Sequence, residues 1–246
     1  MKNILKLNEE FKRIKKLGFT KTILNGSGGV GRTFEYLLGK SVDVSDNPDY
    51  EGIEIKCRRS YTKALISLFN ATLDSEENAI NKIVNKYGYP DYMLRSCKVL
   101  SAKFNSKEKT RVGFNYKFSL KVNRNEEKIM LLVYDKNDNL IDDTYSWSFK
   151  LLEQKLAKKL KLLAIVLASR KFVDNIEYFH YLTIRFYELK EFNHFIDLLD
   201  SGDIWIEMKV GVYHSGDRIG IINDKGTSFK IEYNNIEKLF TRLYVD

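Results

Sequence analysis

The chain has 246 residues, of which 43% are hydrophobic and 30% charged, and its formal net charge is +8. That balance suits one substantial core, or one core divided into two lobes, and excludes global disorder. No segment approaches the roughly 18 apolar residues of a membrane span, no apolar leader-like stretch follows Met1, and Cys57 and Cys97 form neither a disulfide framework nor a metal cluster.

An intracellular, cytoplasmic protein is the simplest expectation. The excess of lysine and arginine points to a polyanionic partner, because these residues raise local phosphate concentration and release counterions on contact. In chain order, "LNEEFKRIKKLGF" places Leu7, Phe11 and Ile14 on one face of an amphipathic helix, with Gly18 near its end. A glycine-rich turn follows, then a helix over 32–38 docked by Phe34, Leu37 and Leu38. "GIEIKCR" alternates as a strand, with Ile53 and Ile55 opposite Glu54 and Lys56. A strand around 65–69 and a helix in "SEENAINKIVNKYG" come next. Residues 112–122, 129–134 and 140–147 read as strands, with "DKNDN" as a turn. Phe149, Leu152, Leu156, Leu160 and Leu163 recur at helical spacing behind Ser148, a natural N-cap. "LLAIVLAS" reads as a buried strand, 175–186 as another, "FNHFIDLL" as a short helix, and 203–246 as strands divided by glycine turns. Helix, strands, helix, strand in this order predict a mixed α/β core rather than separate all-α and all-β halves.

"GSGGVGRT", residues 26–33, has nearly the spacing of a phosphate-cradling loop. Such a loop needs a buried strand before it and a lysine at its end. Here "FTKTIL" precedes it and Arg32 stands at the lysine position, with a rigid fork in place of a flexible ammonium. No strand ending in aspartate supplies a magnesium-side partner, so a nucleotide-binding reading is disfavoured.

The chemistry concentrates in "NPDYEGIEIK", residues 47–56. Glu54 and Lys56 are two apart on a strand and leave the same face, and Asp49 can turn toward them. Two hard carboxylates with the Ile55 carbonyl can hold magnesium, which acidifies water and offsets charge on a phosphate. Lys56 is then a water-positioning and charge-stabilising group, since its two acidic neighbours oppose the depressed pKa of a direct base. An ordinary half-exposed strand has the same alternation. Glu35, on the helix a short loop upstream, adds a third acidic position, and Arg32 and the helix N-terminus are open to phosphates.

These segments resemble the PD-(D/E)xK nucleases, specifically the MvaI/BcnI family of MutH-like type II restriction endonucleases. The resemblance rests on "GSGGVGRTFEYLLG", "NPDYEGIEIKCRR", "YDKNDNLIDDTYSWSF", "LAKKLKLLAIV", "GVYHSGDRIG" and "GTSFKI", which occur in family order over nearly the whole chain. It implies a restriction-endonuclease-like α/β fold, a mixed sheet flanked by helices, with a recognition lobe forming a DNA-binding cleft. Residues 1–186 would be mainly the nuclease core and 187–246 mainly the recognition lobe. The catalytic set implied is Asp49, Glu54 and Lys56, with Glu35 from the helix. The implied activity is cleavage of double-stranded DNA by a monomer at a short site with Mg2+, for which Mn2+ would substitute, leaving 5′-phosphate and 3′-hydroxyl ends. A prokaryotic restriction-modification setting with a companion DNA methyltransferase goes with it.

Residues 203–231 mix donors and acceptors in a way that suits groove reading. Glu207, Asp217 and Asp224 can accept from cytosine N4, and Lys209, Arg218, Lys225 and Lys230 can reach guanine or phosphate. The resemblance implies recognition positions for Glu207, Lys209, Asp224, Lys225 and Lys230, and a G/C-rich site. Tyr213 can pack on sugar or in the core. His214 can contact DNA or serve as a structural hydrogen-bonding group, and it lacks ligand-spaced partners for zinc. Arg58 and Arg59, just past Lys56, are phosphate candidates. Lys155, Lys158, Lys159 and Lys161 contact phosphate or simply form a solvated helix face. A repair nickase and a noncatalytic DNA-binding protein are the alternative readings.

Overall fold

The computed structural model describes residues 1–40 and 47–245. It opens with α1 (Lys2–Lys16), β1 (Thr20–Lys21), α2 (Gly29–Leu37), β2 (Ile53–Arg59), β3 (Ile66–Asn70) and α3 (Ala79–Tyr87). A run of strands follows: β4 (Tyr89–Pro90), β5 (Lys98–Phe104), β6 (Thr110–Val112), β7 (Tyr116–Asn123), β8 (Lys128–Asp135), β9 (Leu140–Asp142) and β10 (Ser146–Ser148). Then come α4 (Phe149–Leu160), β11 (Leu162–Val173), β12 (Ile176–Leu189), α5 (Phe192–Asp200), β13 (Ile204–Val212), β14 (Ile222–Ile231), α6 (Ile236–Leu239) and β15 (Phe240–Leu243). The mixed α/β order expected from the pattern is present. α1 begins five residues before Leu7 and α2 begins at Gly29 rather than Arg32. Strand β5 was not anticipated, although Leu100, Ala102 and Phe104 alternate as buried residues along it.

Two compact units interleave along the chain, one drawn from 1–64, 156–190 and 239–246, the other from 65–155 and 191–238. The single boundary expected near residue 186 is therefore replaced by several crossings. The physical reason is strand pairing: β11 and β12 complete the sheet that β1 and β2 begin, so the first unit recruits late segments.

In the first unit the sheet order is β1-β12-β11-β2, with β15 also on β12. β2 runs parallel to β11, with Glu54 beside Leu163 and Lys56 beside Ile165. β11 and β12 form a long antiparallel hairpin, turned by Asp174 and Asn175, both at positive φ (50° and 61°), the conformation of a tight two-residue connection. Leu7, Phe11 and Ile14 of α1 and Val30 and Phe34 of α2 join Ile53, Ile55, Ala164, Val166 and Phe179 in one core. Strand alternation then directs Glu54 and Lys56 to the opposite face.

The second unit contains two sheets, β10-β8-β7-β6 with β9 on β8, and β3-β14-β13-β5-β4. Aromatic side chains join them. Phe229 of β14 stacks on Phe69 at 4.9 Å and meets Trp147 of β10 edge-on at 5.7 Å and Phe195 of α5 at 6.0 Å. The buried Trp147 indole N–H donates to the Ala71 carbonyl at 3.0 Å, so its polar atom is satisfied. Ser148 acts as the expected cap, accepting from the Leu151 N–H at 3.2 Å. Because Phe229 is fully buried among these rings, Phe229→Ala should cost about 3–5 kcal/mol, measurable as a lowered midpoint of urea unfolding.

Candidate active site

The site is built around a tight turn. Tyr50 and Ile53 exchange backbone hydrogen bonds of 2.9 and 2.8 Å, with Glu51 and Gly52 at φ 42° and 86° between them. Two successive positive φ values reverse the chain in two residues. Asp49 is thereby folded back along β2, where its Oδ2 accepts the Ile55 N–H at 2.9 Å. Lys40 Nζ lies 3.3 Å from Oδ1. A strand residue's N–H and C=O leave on the same side, so the Ile55 carbonyl opens to the same sheet edge as Asp49.

Glu54 is the most constrained charge here, its side chain only 2% exposed. Oε1 accepts from Lys56 Nζ at 2.6 Å, and Lys159 Nζ of α4 stands 3.7 Å away. Oε2 is buried and has no hydrogen-bond partner among the described residues. Burial raises the Glu54 carboxyl above the usual glutamate range, with Asp49 adding to the rise while Lys56 and Lys159 pull it back. Among the described residues no group of three or more acidic, histidine or cysteine side chains gathers as a metal cage. An orphaned carboxylate oxygen, a neighbouring aspartate and a strand carbonyl nonetheless fit magnesium, which takes one or two carboxylates and keeps several waters.

Glu35 stands on α2 paired with Arg32 at 3.1 Å. Burial raises the Cys57 thiol well above its ordinary value, and the charges of Glu35 and Asp49 raise it further. Glu35 and Asp49 thus each act on Cys57, whereas the groups acting most on Glu54 are Lys56, Asp49 and Lys159. Cys57 itself packs against the core beside the strand, as its size suggested.

The glycine loop is a structural entry to α2. Only a two-residue strand at the sheet edge, antiparallel to β12, precedes it, so the strand needed by a nucleotide loop is missing. A Cβ on Gly29 would lie 2.3 Å from the Leu24 carbonyl oxygen, which requires glycine there. Arg59, expected as a phosphate contact, instead clamps this loop. It donates to the carbonyls of Gly26 and Ser27 at 2.8 and 3.1 Å and to both oxygens of Glu177 at 2.7 and 2.8 Å. Arg58 donates to the Thr62 carbonyl at 2.5 Å. Lys40 and Lys159 were not picked out as carboxylate partners, since nothing in local spacing relates them to Asp49 and Glu54.

In the second unit Glu207 of β13 is held between Lys230 of β14, hydrogen-bonded to its Oε2, and Lys209 at 3.2 Å. Burial pushes Glu207 upward, yet the two lysines outweigh it and the carboxylate titrates below its usual range. The Tyr213 ring carries the Arg218 guanidinium at 4.2 Å and Lys225 at 6.0 Å. His214 Nε2 lies 2.9 Å from Asp91 Oδ1, which also accepts the N–H groups of Met93 and Leu94. One ring nitrogen of His214 thus has a partner within the protein, Asp91, which no local spacing in the sequence relates to it. Asp224 Oδ1 accepts the Gly226 N–H at 2.7 Å.

A carboxylate-x-lysine pair on an edge strand, with an aspartate folded back beside it, defines a hydrolase of the restriction-nuclease class. The model of the MvaI/BcnI restriction endonuclease family matches residues 8–240, and the chain belongs to that family. It is a sequence-specific type II restriction endonuclease. Its fold matches a structure of restriction endonuclease MvaI with cognate DNA substrate, with a TM-score of 0.92 and 29% identity over 99% of this chain and 98% of that one. MvaI in the absence of DNA matches with a TM-score of 0.64 and 26% identity over 99% and 97%. No curated protein sequence matches.

A carboxyl whose folded pKa lies above its unfolded value stabilises the fold while protonated, and this contribution disappears as pH rises through the folded value. Glu54→Gln should therefore raise the melting temperature of the metal-free protein at pH 8. The difference should vanish below about pH 4, where glutamate is protonated in both states, as thermal unfolding across pH would read.

Proposed function

We propose that the enzyme hydrolyses phosphodiester bonds of double-stranded DNA with Mg2+, Mn2+ substituting, through Asp49, Glu54, Lys56 and Glu35. The observation that carries this reading is Glu54 Oε2, buried beside Asp49 and Lys56 and without a hydrogen-bond partner among the described residues. Leaving a buried carboxylate oxygen unmatched is costly, and a cation at that point removes the cost. Glu54, Asp49 and the Ile55 carbonyl would hold the ion, with Glu35 ordering its surroundings from the Cys57 side. When bound, magnesium supplies acidity to a water molecule and positive charge to the phosphate.

Lys56, anchored on Glu54, orients the attacking water and stabilises negative charge on the nonbridging oxygens. The water oxygen bonds to phosphorus as the bond to O3′ breaks, which leaves 5′-phosphate and 3′-hydroxyl ends. The first unit carries this chemistry and the second reads bases, which revises the expected division at residue 186. Glu207 between Lys209 and Lys230 sets an acceptor beside donors, the combination a C·G pair demands, and supports a short G/C-rich site. Arg32, Arg58, Tyr213, His214, Arg218, Asp224 and Lys225 belong to the DNA-facing set, with Arg59 acting through the loop it holds. The enzyme works as a monomer alongside a separate DNA methyltransferase, in a prokaryotic cytoplasm. No described helix is long and apolar enough to cross a membrane.

Plasmid digestion tests the reading. Purified protein should give a fixed fragment set in magnesium and none in chelator. Random degradation would overturn the site-specific reading, and circles nicked but never linearised would point to single-strand cutting. Asp49→Ala, Glu54→Ala and Lys56→Ala should each lower the single-turnover rate by about 10²-fold or more. Glu35→Ala should lower it by about 10- to 100-fold, as expected of a group acting around the ion, and an unchanged rate would remove it from the site.

A further inference from the structure

Beyond Lys56, at the C-terminal end of β2, lies a cavity of about 580 Å³ lined by Arg59, Ser60, Tyr61, Lys63, Ser169 and Arg170, with Thr62 between them. Its lining contains no acidic side chain. Glu177 balances Arg59, at 2.7 Å, and lies 3.7 Å from Arg170, so three cations face one carboxylate. Lys63 is exposed and no acid pairs with it among the described residues, and Arg170 is more than half exposed. The floor is fixed: the Ser60 N–H and hydroxyl both donate to the Ala168 carbonyl, at 2.7 and 3.1 Å. At the rim Tyr61 is fully exposed and sits at φ 64°, a conformation that costs a non-glycine residue about 1 kcal/mol or more. An aromatic ring held there in solvent, above a cationic hollow, suits a sugar–phosphate chain.

We infer that this cavity seats a non-scissile phosphate of the DNA backbone, with Lys63 and Arg170 as positioning residues and Tyr61 against the adjoining sugar. The inference rests on the DNA-cleaving reading above. Arg59 follows Lys56 by three strand residues, about 10 Å at roughly 3.3 Å each. That distance corresponds to about three nucleotide steps of duplex rise, so the seat sets where the backbone lies relative to Glu54 and Asp49 without touching the reacting phosphate.

The test is the salt dependence of duplex binding, read by fluorescence anisotropy on a 30-base-pair DNA of arbitrary sequence, since a backbone contact is sequence-independent. Lys63→Ala/Arg170→Ala should reduce the slope of log K against log salt by about 2. Lys63→Arg/Arg170→Lys should keep the slope, and Lys12→Ala, which removes a charge from the exposed face of α1, should leave it unchanged. In a scan of single neutral methylphosphonate linkages, performed on the mapped site, one linkage should weaken the native protein and leave the double alanine variant indifferent. An unaltered slope in the double alanine variant, an equal fall with Lys12→Ala, or linkages that affect both proteins alike would overturn the seat. If the native protein binds with the expected slopes but cuts no DNA, the catalytic reading fails while the seat stands. If it cuts and the slopes do not change, the seat alone fails.

Discussion

A carboxylate withdrawn from water governs this site. The Glu54 side chain is all but fully buried, and the charged form of such a group is tolerated only with compensation. The compensation present is partial: Lys56 reaches one oxygen and Lys159 stands at 3.7 Å, while the second oxygen has no partner among the described residues and Asp49 adds like charge. A sequence selected only for stability would place an apolar residue between Ile53 and Ile55. On the proposed reading this residual imbalance is what would give the position affinity for a cation, so that stability lost in the metal-free fold and capacity for chemistry would have one origin.

The sheet makes that imbalance usable. β2 lies at the end of the order β1-β12-β11-β2, so one of its edges is taken by β11 and the other is open to the Asp49 turn. Were another strand paired on that side, the Ile55 N–H could not bond Asp49, and its carbonyl would be satisfied as well. Alternation separates the functions of the strand: Ile53 and Ile55 anchor it to α1 and α2, and Glu54 and Lys56 face the other way. Cys57 takes the core side, where its thiol lies within electrostatic reach of both Glu35 of α2 and Asp49.

How much of this was legible in the sequence depends on the range over which each interaction acts. The alternation of "GIEIKCR" and the apolar stripe of α1 are local, and they were readable as local patterns. The pairing of Lys159 with Glu54, of Arg59 with Glu177 and of His214 with Asp91 spans about a hundred residues in each case. Each depends on how strands are ordered in a sheet, which no spacing rule encodes. Arg59 shows the consequence best. Next to the chemistry in sequence, it reads as a phosphate contact, but the arrival of β12 with Glu177 converts it into the clamp of the glycine loop. The interleaving of the two units has the same cause, because β11 and β12 complete a sheet begun more than a hundred residues earlier.

The cations of the first unit accordingly divide by environment. Lys40, Lys56 and Lys159 each lie by Asp49 or Glu54, so most of the charge in the candidate site is compensated within it. Such a centre attracts DNA weakly over distance, since opposite charges a few ångströms apart cancel beyond a Debye length of about 8–10 Å. Lys63 and Arg170 lie outside that compensation and face solvent, where a surplus of positive charge accelerates encounter with a polyanion. Capture and chemistry therefore make opposite electrostatic demands, a persistent field for one and a nearly cancelled one for the other. On the proposed reading the chain meets both within a single strand and the turn that follows it, pairing its charges at residues 54 and 56 and leaving Lys63, the next lysine, without an acidic partner among the described residues.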